Sequence, residues 1–470
     1  MRLRRLCRLF FDALIFPGNW QIIDAKKSED SMSDTVFAPA TPFGGALAII
    51  RISGDDAKAV LDGCFSRNVA HGSILHGSIV RDGVLLDDCM AAFFKAPHSY
   101  TGEDMAELYI HGSYAVARSI FDYLCELGAR PAQAGEFTKR AFINGKLDLS
   151  EAEAVMDVIN SKTALGAREA LLQLKGAVND EIRGIEDELT DALAGLDAAM
   201  DYPDELEEDV FSSLPEKLSD CYKRLIELER RGLGRRLIRD GARVTIVGKP
   251  NAGKSSLLNA LCGEDRAIVT SIAGTTRDAL TEHIDIFGIP VLLTDTAGLR
   301  ETGDEVERIG VSRAKEAVRN ADLLLVAIDA SVPWSDECDA LIEECGETPK
   351  LIVLCKGDLD VKIYESAAKN ATGIEAVTVS AITKEGMDEL RTAIADMLLP
   401  DKSETHITNM RHIEAVAQAA QYLYGSWRLT DWDCLATDIE RALEALSRIT
   451  GRQVDAEVID RIFERFCVGK

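Results

Sequence analysis

Between Gly248 and Ala381 the chain carries, in order, the residue types that a nucleoside triphosphate site needs. Gly248-Lys-Pro-Asn-Ala-Gly253-Lys254-Ser255 follows the apolar run Val244–Val247 and precedes the helix-like Ser256–Leu261. A phosphate chain needs backbone N–H groups converging on it, and a glycine-rich turn opening a helix supplies them. Lys254 then reaches the β- and γ-phosphates, and the Ser255 hydroxyl ligates Mg²⁺. Downstream, Gly274-Thr275-Thr276-Arg277-Asp278 has the composition of a first switch loop, with Thr276 completing the Mg²⁺ shell when a γ-phosphate is present. Val291–Thr294 runs into Asp295-Thr296-Ala297-Gly298, which offers a carboxylate to the metal through water and a glycine N–H to the γ-phosphate. Leu351–Leu354 runs into Cys355-Lys356-Gly357-Asp358, and Ala376–Val379 into Ser380-Ala381, the places where base readers are expected. Asp358 can accept from guanine N1–H and N2–H, a pattern that adenine does not offer. The order and spacing predict a site that binds and hydrolyses a guanine nucleotide.

One substitution shapes the chemistry. Ras-like enzymes place a water-orienting Gln after the Asp-x-x-Gly turn, and here Leu299 stands there. Leucine cannot orient water, so a carboxylate of the charged segment Arg300–Arg308 is the candidate, Glu307 before Glu305, although by spacing alone such a charge run reads as the solvated face of a helix. Asn251, inside the phosphate loop beside the small Ala252, offers an oxygen to a monovalent cation, which would supply the positive charge that an arginine finger supplies elsewhere.

The elements around these motifs define three regions. From Val36 to about Leu149, short β-rich runs (46–52 and 105–110) mix with a helix-like 115–127, which predicts a compact α+β domain. Ser150-Glu-Ala-Glu opens the next region as a capping pattern, and Val178, Ile182, Ile185, Leu189, Ala192 and Leu196 recur at helical spacing. Asp201-Tyr-Pro-Asp breaks that run before a further helix over about 214–231. The α/β segment 241–400 interrupts an all-α region that resumes after 401, so a P-loop, Ras-like G domain is read as inserted into a helical host. The expected boundaries are 32–149, 150–240, 241–400 and 401–470, with 1–31 an extension, disordered or a misassigned start. That extension has a basic Met1–Arg8 and an apolar Leu9–Phe16 broken by Asp12, a poor secretory signal, and no later run is long enough to span a bilayer.

The marks outside the common GTPase motifs are more specific. Ser99-Tyr-Thr-Gly-Glu-Asp104 with Glu107 and His111-Gly112, Gly135–Phe142 with Asn144–Leu149, and the terminal Phe466-Cys-Val-Gly-Lys470 resemble the MnmE (TrmE) family of tRNA modification GTPases, from about Met32 to the C-terminus. The resemblance implies K⁺ held by Asn251, Thr270, Ile272 and Thr275, Mg²⁺ held by Ser255 and Thr276, and Glu307 organising the attacking water. With the motifs, the implied GTP contacts run through Asn251, Ala252, Gly253, Lys254, Ser255 and Ser256, then Thr270, Ser271, Ile272, Ala273, Gly274, Thr275 and Thr276. They continue through Asp295, Thr296, Ala297 and Gly298 to Cys355, Lys356, Gly357 and Asp358, and end at Ser380, Ala381 and Ile382. The family's 5-formyltetrahydrofolate site falls on Arg51, Glu107 and Lys146, with Lys470 brought nearby. The resemblance further implies a homodimer whose G domains meet across a K⁺-dependent interface. It also implies a heterotetramer with the FAD-containing MnmG, which builds a carboxymethylaminomethyl-type group on carbon 5 of the wobble uridine of certain tRNAs. At Cys355 the chain departs from the family's Asn, which ties the base loop to the phosphate loop.

A length of 470 residues, 46% of them hydrophobic, suggests two to four domains with substantial cores. The formal charge of −26 opposes binding of tRNA by this chain alone, since Lys and Arg contacts to phosphate dominate such affinity. The partner is therefore expected to hold most of the tRNA, and the dense basic cluster Arg230–Arg236 reads as a solvated linker. Eleven cysteines without paired spacing fit a reducing cytoplasm; Cys467, in the tail, has no identifiable base. No zinc-like spacing appears among the seven histidines, and His98 and His111 read as loop residues. Two rival functions stay open: a regulatory assembly switch without small-molecule chemistry, and a folate-dependent one-carbon transferase gated by the G domain.

Overall fold

The structure is a computed structural model that describes residues 35–201, 203–263, 281–295, 316–400, 405–429 and 431–469, with the backbone alone for 203–213 and Thr281. Residues 1–31, the segments 270–276 and 296–307 expected to be switches, and Lys470 lie outside the described residues. The chain forms two compact units, the described parts of Met1–Met156 with Thr450–Lys470, and Asp157–Ile449.

The first unit begins with β1 (Val36–Pro39), β2 (Leu47–Ser53), α1 (Ala57–Cys64), β3 (Ile74–Arg81), β4 (Val84–Phe94), β5 (Met105–His111), α2 (Tyr114–Glu126), β6 (Arg130–Pro131) and α3 (Glu136–Ile143). Its sheet order is β3-β4-β5-β2-β1-β6, antiparallel throughout except for the β1–β6 pair. Alternation along β2 sends Ala48, Ile50 and Ile52 into a core with Leu61, Ile120, Phe121 and Leu124 of α1 and α2. The opposite face is where Arg51 projects. Buried Arg140 of α3 is held by Glu103 and Glu136 at 3.1 and 2.8 Å, an ion cluster whose members would each be costly to bury alone.

Helix α4 (Leu149–Asn160) starts two residues earlier than a cap at Ser150 would place it. Asp148 is the capping residue: its carboxylate accepts from Glu151 N–H, and its own N–H donates back to the Glu151 side chain, both at 2.8 Å. That is a capping box on Asp148, and Ser150, the expected cap, instead donates to the Asp148 carboxylate.

The second unit holds α5 (Ala164–Gln173), α6 (Ala177–Asp201) and α7 (Pro203–Asp240). The apolar stripe of α6 is buried as its periodicity predicts, against Leu218, Cys221 and Leu225 of α7. Helix α7 is far longer than the expected 214–231, and this corrects the reading of Arg230–Arg236. The cluster is helix, not linker, and three of its four arginines are paired: Arg230 and Arg231 with Glu227, and Arg235 with Glu169 at 2.9 Å with both nearly buried.

The α/β segment follows, with β7 (Ala242–Gly248), α8 (Lys254–Cys262), β8 (Thr281–Ile286), β9 (Ile289–Asp295), β10 (Leu323–Asp329), α9 (Asp336–Glu344), β11 (Lys350–Cys355), α10 (Glu365–Thr372), β12 (Ala376–Thr378) and α11 (Met387–Leu398). The sheet runs β12-β11-β10-β7-β9-β8, parallel except for the β8–β9 hairpin. Both faces are covered, so β10 reads as continuous apolar sequence: Leu323, Leu325 and Ala327 pack on the α8 and α11 side, Leu324, Val326 and Ile328 on the α9 and α10 side. After α11 the helical host resumes with α12 (Met410–Leu423) and α13 (Trp432–Thr450), whose Val416, Ala419, Ile439 and Leu446 join the core of α6 and α7. The short α14 (Ala456–Phe463) then belongs to the first unit, where Phe463 and Phe466 pack with Leu149 and Ala152, and Val468 makes a bridge to Ala134.

Candidate nucleotide site

Parallel pairing lines up the candidate groups at one edge of the second sheet. Gly248 stands opposite Ala327, Ile246 opposite Asp295, and Asp329 opposite Cys355. All of these are at or near the carboxyl ends of their strands, the edge where ligands of open α/β sheets bind.

The loop after β7 turns through Asn251 at φ 63° and Gly253 at φ 102°. At φ 102° a side chain would be strained, and a Cβ on Gly253 would sit 3.2 Å from that of Cys355. Gly253 caps α8 without any side-chain cap bond, so the first amides of the helix, among them those of Lys254, Ser255 and Ser256, face the loop mouth, an arrangement suited to an anion. Ala252 is buried, and Asn251 is exposed at the rim. Lys254, only 7% exposed, lays its ammonium inside the loop and donates to the Lys249 carbonyl at 2.7 Å. Ser255 Oγ donates to Asp295 Oδ2 at 3.0 Å, and Asp295 is 1% exposed. A hydroxyl beside a buried carboxylate is a hard oxygen set, and it fits Mg²⁺ bound directly by the hydroxyl and through water by the acid.

On the base side, β11 ends at Cys355, which is buried; burial pushes its thiol up to about 12. Its Sγ donates to Val353 O at 3.7 Å. Lys356 follows at φ 63°, its ammonium 2.6 Å from Asp329 Oδ2. Gly357 N donates to Val379 O at 2.9 Å. Asp358 Oδ1 accepts from Ser380 Oγ at 2.8 Å, and the same Oγ accepts from Ile382 and Thr383 N–H. The strand-end loops carrying Ser380, Ala381 and Ile382 and the Cys355–Asp358 segment are thus brought together. Thr270, Ser271, Ile272, Ala273, Gly274, Thr275 and Thr276, and likewise Thr296, Ala297, Gly298, Glu305 and Glu307, lie outside the described residues. Asp329 was not singled out from sequence. The signal was present, because the apolar run Leu323–Ile328 ends in an aspartate as Val291–Thr294 does.

In the first unit, Arg51 and Glu107 face each other across β2 and β5. Arg51 donates to Glu107 Oε1 from Nε and Nη2 at 3.0 and 2.9 Å. Its guanidinium lies 5.3 Å from the Tyr100 ring and 5.8 Å from that of Phe137, a planar cation among aromatic rings. Sequence reasoning missed both rings. The Gly469 carbonyl accepts from Arg51 at 3.4 Å, so the tail residue before Lys470 reaches this point. Tyr109 donates to Glu107 at 2.9 Å; burial and that bond push its hydroxyl up to about 12. Lys146 is held differently, its ammonium donating to the Pro97 carbonyl at 3.1 Å. His111 is not a loop residue as expected: it ends β5, and its ring meets the buried Asp87 carboxylate at 2.7 Å. Among the described residues, no helix is long and apolar enough to cross a membrane.

The profile described as GTP-binding protein TrmE N-terminus matches residues 35–146, and that described as MnmE helical domain matches residues 149–467. The tRNA modification GTPase MnmE of Clostridioides difficile (strain 630) is 37% identical over 457 residues, covering 93% of this chain and 100% of that protein. The protein of the same name from Thermotoga maritima is 39% identical over 450 residues, again covering 93% and 100%. Among solved structures, the G domain of the T. maritima FeoB iron transporter is 27% identical, covers 33% of this chain and 98% of that one, and gives a TM-score of 0.27.

The buried thiol at Cys355 gives the base loop no polar side-chain link to the phosphate loop. Cys355→Asn should therefore tighten GTP and GDP binding by roughly three- to tenfold, the scale of one neutral hydrogen bond. Titration with a fluorescent nucleotide tests this; an unchanged Kd would show that the thiol packing already does the same work, and ATP should be rejected by both proteins.

Proposed function

The chain belongs to the MnmE family of tRNA modification GTPases, and from that premise we propose that it couples GTP hydrolysis to modification of carbon 5 of the wobble uridine in certain tRNAs. It is a GTP hydrolase. The observation that carries the reading is the meeting, at one sheet edge, of Lys254 in the phosphate loop, the Ser255–Asp295 pair and the Ser380-braced Asp358. Lys254 and the amides opening α8 bind the phosphates, and Asp358 reads guanine. Mg²⁺, held by Ser255 and Thr276, supplies charge neutralisation on the β- and γ-phosphates. K⁺, held by Asn251, Thr270, Ile272 and Thr275, supplies the further positive charge that other GTPases take from an arginine. Glu307 orients the attacking water in place of the Gln that Leu299 replaces.

Arg51, Glu107, Lys146 and Lys470 form the site for 5-formyltetrahydrofolate or a related tetrahydrofolate, in which Arg51 pairs with an acidic ligand group and Tyr100 and Phe137 offer faces to a ring. The protein works as a homodimer, with the FAD-containing MnmG as partner in a heterotetramer that adds a carboxymethylaminomethyl-type group. The tRNA is held mostly by that partner. The acidic net charge and the pairing of Arg230, Arg231 and Arg235 with Glu227 and Glu169 support this, because a phosphate would have to compete with those carboxylates for the arginines.

At equal ionic strength hydrolysis should be much faster in K⁺ than in Na⁺, and Glu307→Ala should lower kcat by about 10² or more with little change in GTP affinity. Equal rates in both salts would remove the cation from the mechanism, and a mutant with near-normal turnover would remove Glu307. Replacing Arg51 and Lys146 together by Ala should abolish folate binding measured by calorimetry while GTP turnover continues. Nucleoside mass spectrometry of tRNA from cells lacking the gene should show loss of the carbon-5 modified wobble uridine; an unaltered nucleoside profile would favour the assembly-switch alternative.

A further inference from the structure

The loop that reads the base is braced from two sides. On one side Ser380 holds Asp358. On the other, Lys356 reaches back to Asp329 at the end of β10, 2.6 Å away. Lys356 is one of the few non-glycine residues of the described chain with a left-handed backbone, a conformation that persists where surrounding contacts over-determine it. Asp329 divides its two oxygens: Oδ2 takes the Lys356 ammonium, while Oδ1 accepts from the Ser331 hydroxyl at 2.6 Å and the Ser331 N–H at 3.0 Å. Burial would raise the Asp329 carboxyl, but the Lys356 and Ser331 bonds outweigh it and hold the group below its ordinary range. The turn after Asp329 adds backbone ties on both flanks of the base loop. Ala330 N donates to Cys355 O at 2.9 Å, and Ala330 O accepts from Lys362 N at 2.7 Å.

At the residue before Lys356 the corresponding brace is missing. Cys355 turns its thiol to the carbonyl of its own strand, and on the phosphate-loop side its Cβ and Sγ stand 3.2 and 3.7 Å from where a Cβ on Gly253 would lie. The left-handed turn that aims Asp358 therefore depends on its neighbour's ion pair.

We infer that Asp329 is a positioning residue for guanine recognition, acting through Lys356 to hold the Gly357–Asp358 turn, and that it carries this duty because Cys355 does not. The inference rests on the guanine-nucleotide reading of the site. The ammonium of Lys356 is tethered at its far end, so the backbone of 356–358 is held between β10 and β12, and the Asp358 carboxylate stays where two parallel donors of a guanine can meet both of its oxygens. Without the tether the turn samples other conformations, and the ligand must select the competent one, which weakens apparent affinity by the fraction lost.

The test is a thermodynamic cycle on the full chain, read as Kd for a fluorescent GDP with competition by GTP and ATP. Asp329→Asn should weaken GDP binding by about tenfold, the scale of one charge-assisted bond, and Asp329→Glu should recover part of it. In the Cys355→Asn background the same Asp329→Asn change should cost less than about threefold, because the new amide braces the turn from the phosphate loop. A general loss of folding would not depend on residue 355 in this way. Ser331→Ala, which keeps the Asp329 charge, should weaken binding by roughly two- to threefold and covers the case in which Asp329→Asn folds poorly. An unchanged Kd in Asp329→Asn and Ser331→Ala, or an equal penalty in both backgrounds, would overturn the inference. Comparable ATP and GTP binding by the unaltered chain would instead overturn the guanine reading beneath it.

Discussion

The parallel register of β7 between β10 and β9 is the constraint on which the candidate nucleotide site depends. Ala327 opposite Gly248 brings β10 against the start of the phosphate loop so closely that a Cβ on Gly248 would lie 2.5 Å from the Ala327 carbonyl. From that register follows the placement of Asp295 beside Ser255, and the matching β10–β11 register sets Asp329 beside Lys356 and Cys355 against Gly253. The register is strongly specified because both faces of the sheet are buried. A one-residue slip would exchange the sets that pack against α8 and α11 and against α9 and α10, and would pull the strand-end carboxylates out of line.

The helical part of the second unit meets the same segment at points with little freedom. Glu169 of α5 accepts from Arg235 at 2.9 Å on one oxygen and meets His406 at 3.2 Å on the other. One nearly buried carboxylate thus ties the helix that leads into the α/β segment to the stretch that leads out of it. Gln173 adds bonds to the His406 carbonyl and Thr408 hydroxyl. The Thr163 hydroxyl accepts from Gly166 N to cap α5 and donates at 2.8 Å to Gly288 O in the β8–β9 turn. Since β8 follows the first switch segment and β9 precedes the second, that turn is a fixed point on the helical host for the strand pair between them.

In the first unit the chain end is built into the fold. Val468 bridges Ala134, and a Cβ on Gly469 would lie 1.9 Å from the Pro39 carbonyl, so only glycine fits as the tail passes towards Arg51. Arg51, Glu107 and Tyr109 meet because β2 and β5 are neighbours in the sheet, and Tyr100, Phe137 and Gly469 are brought to the same guanidinium by a loop, a helix and the returning tail. Arg140, by pairing with Glu103 and Glu136, ties the segment that carries Tyr100 to the helix that carries Phe137.

Local signals were legible in the sequence because they obey local rules. The glycine loop between strand and helix, the buried stripe from Val178 to Leu196, the β-rich runs that became β2 and β5, and the alternation of α/β units each follow from backbone geometry and period within a short window. The substitution at Cys355 was equally visible, since its neighbours define the position. What the sequence left open depended on partners far along the chain. The run Arg230–Arg236 reads as a linker until it is seen inside one long helix, with Arg230 and Arg231 paired to Glu227 and Arg235 to Glu169, and Asp148 becomes a cap through its reciprocal bonds with Glu151. The pairing of Asp329 with Lys356, and of Arg51 with Tyr100, Phe137 and Gly469, is set by sheet order and by the return of the tail. Residue types and period specify which elements form; long-range pairing, which no short window contains, decides which side chains those elements bring together.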